Sequence, residues 1–281
     1  MSTLTSEEAL QKRDELMELG YTIVPGVLQD PLLDEFRTWS DDVFARVSVD
    51  PKFRYQGSDI HVFTERRWKD SGMTEDEKHF SAPIVEKLID YPPQREICRQ
   101  LQLEGLAPHD NVILLSKPAY GPPLYWHQDY MNWNSPEAAT PWPTVIFLSY
   151  YMTDTTRQNG CLRVIPGTHR KRIDLHGTLP DAHGSEIQAI EDLDDPVFMD
   201  REDAIDVPLK AGDLIIADAR LMHGAWPNRT AQRRTLVLAW HRVFPFPEPP
   251  SWWRGDIPDA VKNADLKAQY EARRRPSEYI E

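Results

Sequence analysis

The run Thr144-Val-Ile-Phe-Leu-Ser-Tyr-Tyr-Met152 is dense in β-branched and aromatic residues, and Pro143 and Asp154 punctuate its two ends. It is one of six such runs, the others being Asn111–Ser116, Cys161–Pro166, Ala204–Leu209, Asp213–Asp218 and Arg234–Arg242, separated by Gly, Pro, Asn and Asp. Short strands with turn residues between them predict a β-sandwich or barrel. Upstream the pattern is helical. Thr5 and Glu8 fit a capping box for a helix over 5–19, and Gly20 supplies its stop. Tyr21–Val27 reads as a strand. Asp30 and Pro31 can open a second helix in which Leu33, Phe36, Trp39 and Val43 recur at helical spacing. Residues 82–102 read as helical with a break at Pro92-Pro93. Helices first and strands later predict an α+β domain in which helices brace a barrel. The expected layout is a single domain over 1–281: a helical part to about residue 105, a barrel over about 106–244, and a tail from 245 that crosses the domain in an extended Pro- and Trp-rich segment and closes with a helix over 259–274.

The composition sets limits on function. The chain has 281 residues, enough to bury a sizeable core, with 40% hydrophobic and 27% charged residues. The formal charge of −13 disfavours nucleic acid and anionic membranes as partners. No stretch approaches the roughly 20 apolar residues of a membrane helix, and the N-terminus lacks the basic and apolar regions of a secretory signal. Cys98 and Cys161 form no CxxC pair, and two free thiols in a reducing cytoplasm are expected. Nine Asp or Glu residues between 186 and 206 read as a solvated loop. A small molecule is the expected partner, and the oligomeric state is not legible.

The chemistry centres on His127-Gln-Asp129. Side chains two apart on an extended strand share a face, so His127 and Asp129 can aim at one point. Alone, such a triplet is as readily a surface His and Asp. A second imidazole, His223, follows the apolar run Leu214–Ala217 and precedes Arg234 by eleven residues. Two histidines and one carboxylate leave half of a metal's coordination sphere open, the arrangement of non-haem iron(II) oxygenases. 2-Oxoglutarate binding to such an iron leaves a distal carboxylate in the pocket, for which Arg234 offers a planar two-point donor.

In Tyr21-Thr-Ile-Val-Pro-Gly-Val27, Trp126-His-Gln-Asp129, Asn159-Gly-Cys-Leu-Arg-Val-Ile-Pro-Gly-Thr-His169 and the segment His223 to Arg234, the chain resembles the phytanoyl-CoA dioxygenase family of iron(II)/2-oxoglutarate oxygenases. The resemblance implies a double-stranded β-helix, a jelly-roll or cupin-like barrel. It implies iron(II) held by His127, Asp129 and His223, Arg234 on the distal carboxylate of 2-oxoglutarate, and O2 as oxidant. The expected reaction is hydroxylation of a small metabolite with release of succinate and CO2. Relatives that halogenate carry a small residue in place of the carboxylate; Asp129 occupies that position here. Two departures stand out. Ala225 replaces a frequent Ser or Thr, and Phe147, Ser149 and Tyr150 occupy a stretch where many members carry Trp.

Other residues admit two readings. Lys117 either reaches a carboxylate of co-substrate or substrate or is a solvated strand-end lysine. Tyr130 and Trp133, together with Tyr125, Trp126 and Trp142, either line a substrate wall or belong to the barrel-rim core, and Trp240 and His241 lie on the strand after Arg234, where one of them can face the cavity. Asn159-Gly160 and Pro166–His169 read mainly as turns. His61, His79, His109, His176, His183 and His241 have no supporting pattern and are expected at the surface or in satisfied core positions. The stretch from Asp174 to Asp203 is long enough to form a lid. The rival functions are a cupin-type metal-dependent hydrolase or isomerase, in which Arg234 has no role, and a jelly-roll binding protein without catalysis.

Overall fold

The computed structural model describes residues 4–46, 54–55, 58–63 and 83–276. Helix α1, Ser6–Leu19, opens with the expected capping box, in which the Thr5 hydroxyl accepts from the Glu8 N–H and the Glu8 carboxylate accepts from the Thr5 N–H. Gly20 ends it at φ 88°, and a Cβ there would lie 2.6 Å from His169 Nδ1, so only glycine turns the chain this tightly into strand β1, Tyr21–Val24. Helix α2, Leu32–Arg46, buries Leu33, Phe36 and Val43. Strands β2 (Arg54–Tyr55) and β3 (Ser58–Phe63) follow, then α3 (Pro83–Ile89) and α4 (Pro92–Gln100), parted where the paired prolines demanded a break. The barrel continues with β4 (Ala107–Lys117), β5 (Leu124–His127), a 3-10 turn (Pro136–Ala139), β6 (Val145–Tyr151) and β7 (Leu162–Val164). Two single-turn helices, α5 (Leu175–Thr178) and α6 (Ser185–Gln188), precede β8 (Ile205–Val207), β9 (Leu214–Asp218), β10 (His223–Ala225) and β11 (Arg234–Arg242).

These strands form two antiparallel sheets, one of seven in the order β1-β9-β6-β11-β4-β3-β2 and one of four in the order β5-β10-β7-β8. Period-two alternation assigns each face of the larger sheet. Ile146, Leu148, Tyr150, Leu214, Ile216, Val237 and Ala239 pack outward against Leu16, Phe36, Val43, Leu88 and Ile97 of the helices. Phe147, Tyr151, Ile215, Ala217 and Leu236 point inward and meet Leu162, Val164 and Val207 of the smaller sheet. Each fully buried side chain of this kind is worth about 1.5–3 kcal/mol, so the two layers together hold the sheets face to face. On the smaller sheet's side, Tyr125 and Trp126 pack with Leu175, Leu179, Ile187, Val197 and Phe198 from the long connection. The result is an α+β jelly roll. Both cysteines are buried and free. Among the described residues no helix is long and apolar enough to cross a membrane.

Two expectations about element placement are corrected. The part before residue 105 is not only helical: besides β1, which pairs with β9, the β2–β3 hairpin joins the larger sheet, with Asp59–Phe63 opposite Ser116–Val112 of β4. An edge strand as long as β4 leaves a row of unpaired backbone groups unless another strand covers it. The closing helix is one turn, α7 (Asp259–Lys262), rather than 259–274. Residues 265–272 are exposed, so no buried apolar face supports a longer helix, and Arg273 instead bridges to Asn132.

Candidate metal centre and cation pair

His127 ends β5 and His223 begins β10, and the two are direct cross-strand partners. Their rings therefore stand side by side, with centroids 4.2 Å apart. In each, Nδ1 contacts the backbone carbonyl two residues earlier: Tyr125 O at 2.9 Å and Leu221 O at 3.0 Å. A carbonyl only accepts, so Nδ1 carries the proton in both and Nε2 presents its lone pair. Asp129 lies where those lone pairs converge, Oδ1 3.6 Å from His127 Nε2 and Oδ2 3.3 Å from His223 Nε2. Gln128 between them turns away and donates to Arg220 O, as strand alternation requires.

Burial shapes the electrostatics of the trio. Burial and the neighbouring imidazoles hold His127 well below the usual histidine range. For Asp129 burial opposes ionisation, yet His223 and the His183 hydrogen bond outweigh it and keep the carboxylate charged. For His223 burial opposes protonation, and Asp129 outweighs it, raising the pKa. Two imidazoles with fixed tautomers and an ionised carboxylate are a donor set suited to a divalent metal such as iron.

The sequence carried no signal for His183. It sits on the 174–203 connection, yet its Nε2 lies 2.9 Å from Asp129 Oδ1 and its Nδ1 2.7 Å from the Tyr125 hydroxyl. Ligand atoms of His127, Asp129 and His183 all lie within 4.8 Å of one another. Distance alone thus offers His183 as a third donor in competition with His223. Hydrogen bonding separates them. Nδ1 of His223 rests on a backbone carbonyl, as that of His127 does, and turns Nε2 to Asp129 Oδ2, whereas both ring nitrogens of His183 meet side chains, Tyr125 and Asp129. The two strand-borne histidines are the better pair.

A second cross-strand pair lies in the larger sheet, where Arg234 opens β11 opposite Lys117 at the end of β4. Both are buried. Lys117 Nζ donates to Pro122 O at 2.6 Å, and the Arg234 guanidinium lies over the Tyr151 ring, its Cζ 5.4 Å from the centroid. Among the described residues neither has a carboxylate partner, and Arg234 Nε has no hydrogen-bond acceptor. Burial, then the neighbouring guanidinium, pushes Lys117 well below its usual value, and burial lowers Arg234 as well. An orphaned guanidinium donor beside a buried lysine amine, with no carboxylate partner among the described residues, is a donor set suited to an anion. Lys117 is therefore not a solvated strand-end residue. Arg233 faces the opposite side, paired with Asp59 at 2.9 Å and with Ser116. The Asn159-Gly160 turn caps the Lys117 stem: Gly160 has φ 87°, and a Cβ there would lie 2.8 Å from Lys117 Cδ.

The aromatic residues divide. Tyr130, Trp133 and Trp240 share one cluster with Ala138, Val145 and Ala219. Trp240 also meets Phe147 edge-on at 5.6 Å, and Phe147 lies 5.8 Å from the His223 ring. Phe147 is thus an aromatic neighbour of His223, as Tyr125 is of His127. Trp142 packs on Trp253, and Trp126 donates to Met199 O on the long connection. His169 contacts Met17 O and His176 accepts from the Ile173 N–H, both structural positions. His61 packs near Phe44. His79 lies outside the described residues. The acidic loop is partly paired, with Arg163 on Asp200 and Arg201 on Asp174 and Asp203.

A jelly roll whose smaller sheet presents two imidazoles and a carboxylate, and whose larger sheet presents a buried cation pair, defines the class of metal-centred cupin-like proteins. The profile of the phytanoyl-CoA dioxygenase (PhyH) family matches residues 16–236, and the chain belongs to that family. Among curated relatives, the ectoine dioxygenase of Nocardia farcinica is 29% identical over 158 residues, covering 51% of this chain and 53% of that one. Phytanoyl-CoA dioxygenase domain-containing protein 1 of Danio rerio is 22% identical over 282 residues, covering 86% and 90%. The chain spans about half the length of the ectoine dioxygenases it matches. Among solved structures, the non-heme alpha ketoglutarate dependent epimerase SnoN superposes with a TM-score of 0.58 at 19% identity, covering 85% of this chain and 84% of that one. Apo EctD from S. alaskensis superposes at 0.56 and 19%, covering 85% and 77%. These likenesses establish the fold.

Proposed function

We propose that the chain is an Fe(II)- and 2-oxoglutarate-dependent dioxygenase that hydroxylates a C–H bond of a small-molecule metabolite, releasing succinate and CO2. The observation that carries this reading is the coexistence of two cross-strand pairs in one barrel: the His127/His223 pair with Asp129, and the Lys117/Arg234 pair, which has no carboxylate partner among the described residues. His127, Asp129 and His223 would hold the iron. When bound, iron and 2-oxoglutarate together supply the oxidation of a C–H bond by O2, coupled to decarboxylation of the co-substrate. Arg234, with Lys117 beside it, would receive the distal carboxylate and fix the co-substrate's orientation. Phe147, with Trp240 packed on it, gives the site an apolar side, and Tyr130 and Trp133 would meet substrate from the cluster behind Trp240. A metal-dependent hydrolase has no use for the cation pair, and a binding protein has no use for three metal-facing donors.

Relatives bear names from this chemistry: ectoine dioxygenases and a "Probable alpha-ketoglutarate-dependent hypophosphite dioxygenase", and EctD has been crystallised with 2-oxoglutarate and 5-hydroxyectoine. The acidic surface, net −13, favours a small neutral or cationic substrate over a polyanionic one. The test is anaerobic iron loading followed by a metabolite screen for stimulated succinate release, with products identified by mass. Iron-dependent succinate formation is expected. A loaded protein that never consumes 2-oxoglutarate with any metabolite would sink the proposal.

A further inference from the structure

We infer that His183 is a positioning residue for Asp129, itself set by Tyr125, and that through it the 174–203 connection holds the metal-facing carboxylate in place. The inference rests on the oxygenase reading in that Asp129 is taken as a metal ligand. The geometry is a three-member chain: the Tyr125 hydroxyl at 2.7 Å from His183 Nδ1, and His183 Nε2 at 2.9 Å from Asp129 Oδ1. An ionised carboxylate only accepts, so Nε2 donates to it, and in the neutral imidazole Nδ1 then accepts from the Tyr125 hydroxyl. Oδ1 is thereby engaged by His183, and Oδ2 is the oxygen left beside His223. Tyr125 serves both sides of the site, since its carbonyl also fixes the tautomer of His127.

Independent of these bonds, the backbone of His183 is held in a conformation that such a residue rarely adopts. Its φ is 57°, in the left-handed region, and such positions persist where surrounding contacts over-determine them. Gln188 Nε2 donates to His183 O at 2.7 Å, and the Gly184 N–H donates to Asp181 O at 3.0 Å. The C-terminal arm completes the frame. The Arg273 N–H donates to Met131 O at 2.7 Å, two residues beyond Asp129. Arg275 meets Asp181 at 3.4 Å, and Arg274 contacts Ala182 O at 3.4 Å, next to His183. One arm thus ties the loop after the carboxylate to the loop that bears the imidazole. Outer-shell partners of metal ligands act by orienting them, and their loss lowers metal affinity without changing the ligand set.

The experiment is anaerobic titration of the full chain with Fe(II) and Co(II), following affinity and the Co(II) ligand-field absorption, for the wild type, His183→Ala, His183→Gln, Tyr125→Phe and Asp129→Ala. His183→Ala is expected to weaken metal binding by about 10- to 100-fold with the Co(II) band shape unchanged. His183→Gln, whose amide can donate to Oδ1, should recover most of that loss, and Tyr125→Phe should fall between. Should His183→Ala fail to fold, the near-isosteric Tyr125→Phe carries the test. Unchanged affinity in the His183 and Tyr125 variants overturns the inference and leaves the oxygenase reading standing. A changed band shape that Gln does not restore makes His183 a direct ligand and also overturns it. A wild type that binds metal no better than Asp129→Ala overturns both readings together.

Discussion

The barrel carries two buried cross-strand pairs, and they are built on opposite electrostatic principles. In the smaller sheet, His127 and His223 face an ionised Asp129, and each histidine has its outer nitrogen satisfied by its own strand's carbonyl. Charge and hydrogen bonding are balanced within the protein. In the larger sheet, Lys117 and Arg234 lie side by side, Lys117 on the Pro122 carbonyl and Arg234 against Tyr151, with no carboxylate partner among the described residues. Burying an ion without a counter-charge costs several kcal/mol even after relaxation. The first pair has donors suited to a cation and the second has donors suited to an anion. That contrast is what a site for a metal and an anionic co-substrate demands, and it implies that the two pairs should fail differently when altered.

The sharpest break is expected from Asp129→Ala, which leaves two neutral imidazoles without the carboxylate between them. Metal affinity measured by anaerobic titration should fall at least about 1,000-fold, or about 4 kcal/mol, and hydroxylation should vanish. Retention of full activity would remove Asp129 from its role. Arg234→Ala should separate the pairs: the 2-oxoglutarate concentration for half-maximal turnover should rise about 100-fold, or about 3 kcal/mol, while metal affinity stays within about threefold. Equal losses in both measurements would show that the two sites are not independent. The smallest effect is expected from Lys117→Met, which keeps the buried stem and removes one of two like charges. Thermal unfolding without co-substrate should move up, by about 1–2 kcal/mol of stability, while 2-oxoglutarate binding weakens about tenfold. A destabilised variant with unaltered binding would mean that the Pro122 hydrogen bond, not charge storage, is what Lys117 provides.

Much of this was legible because it depends on local rules. The capping box at Thr5 and Glu8 and the break at Pro92-Pro93 follow from hydrogen-bond chemistry and a missing N–H. The closing helix failed on the same ground, because residues 265–272 have no buried face to reward helix formation. His183 was illegible for a different reason. Its partners are Tyr125 and Asp129, 58 and 54 residues away, and nothing around it in the chain marks it as more than a loop histidine.

The sequence alone determined which residue types were available, where most of the barrel strands and the first helices lie, and which side chains alternate along each strand, because these obey periods of two and 3.6 residues and the chemistry of single turns. Only the tertiary structure decided which of those inward residues become neighbours. Register made His127 face His223 and Lys117 face Arg234, and the docking of a distant loop brought His183 to Asp129. Strand pairing and loop docking join positions far apart in the chain, and the free energy that selects them is spread over the two packed faces of the barrel rather than written at any one position.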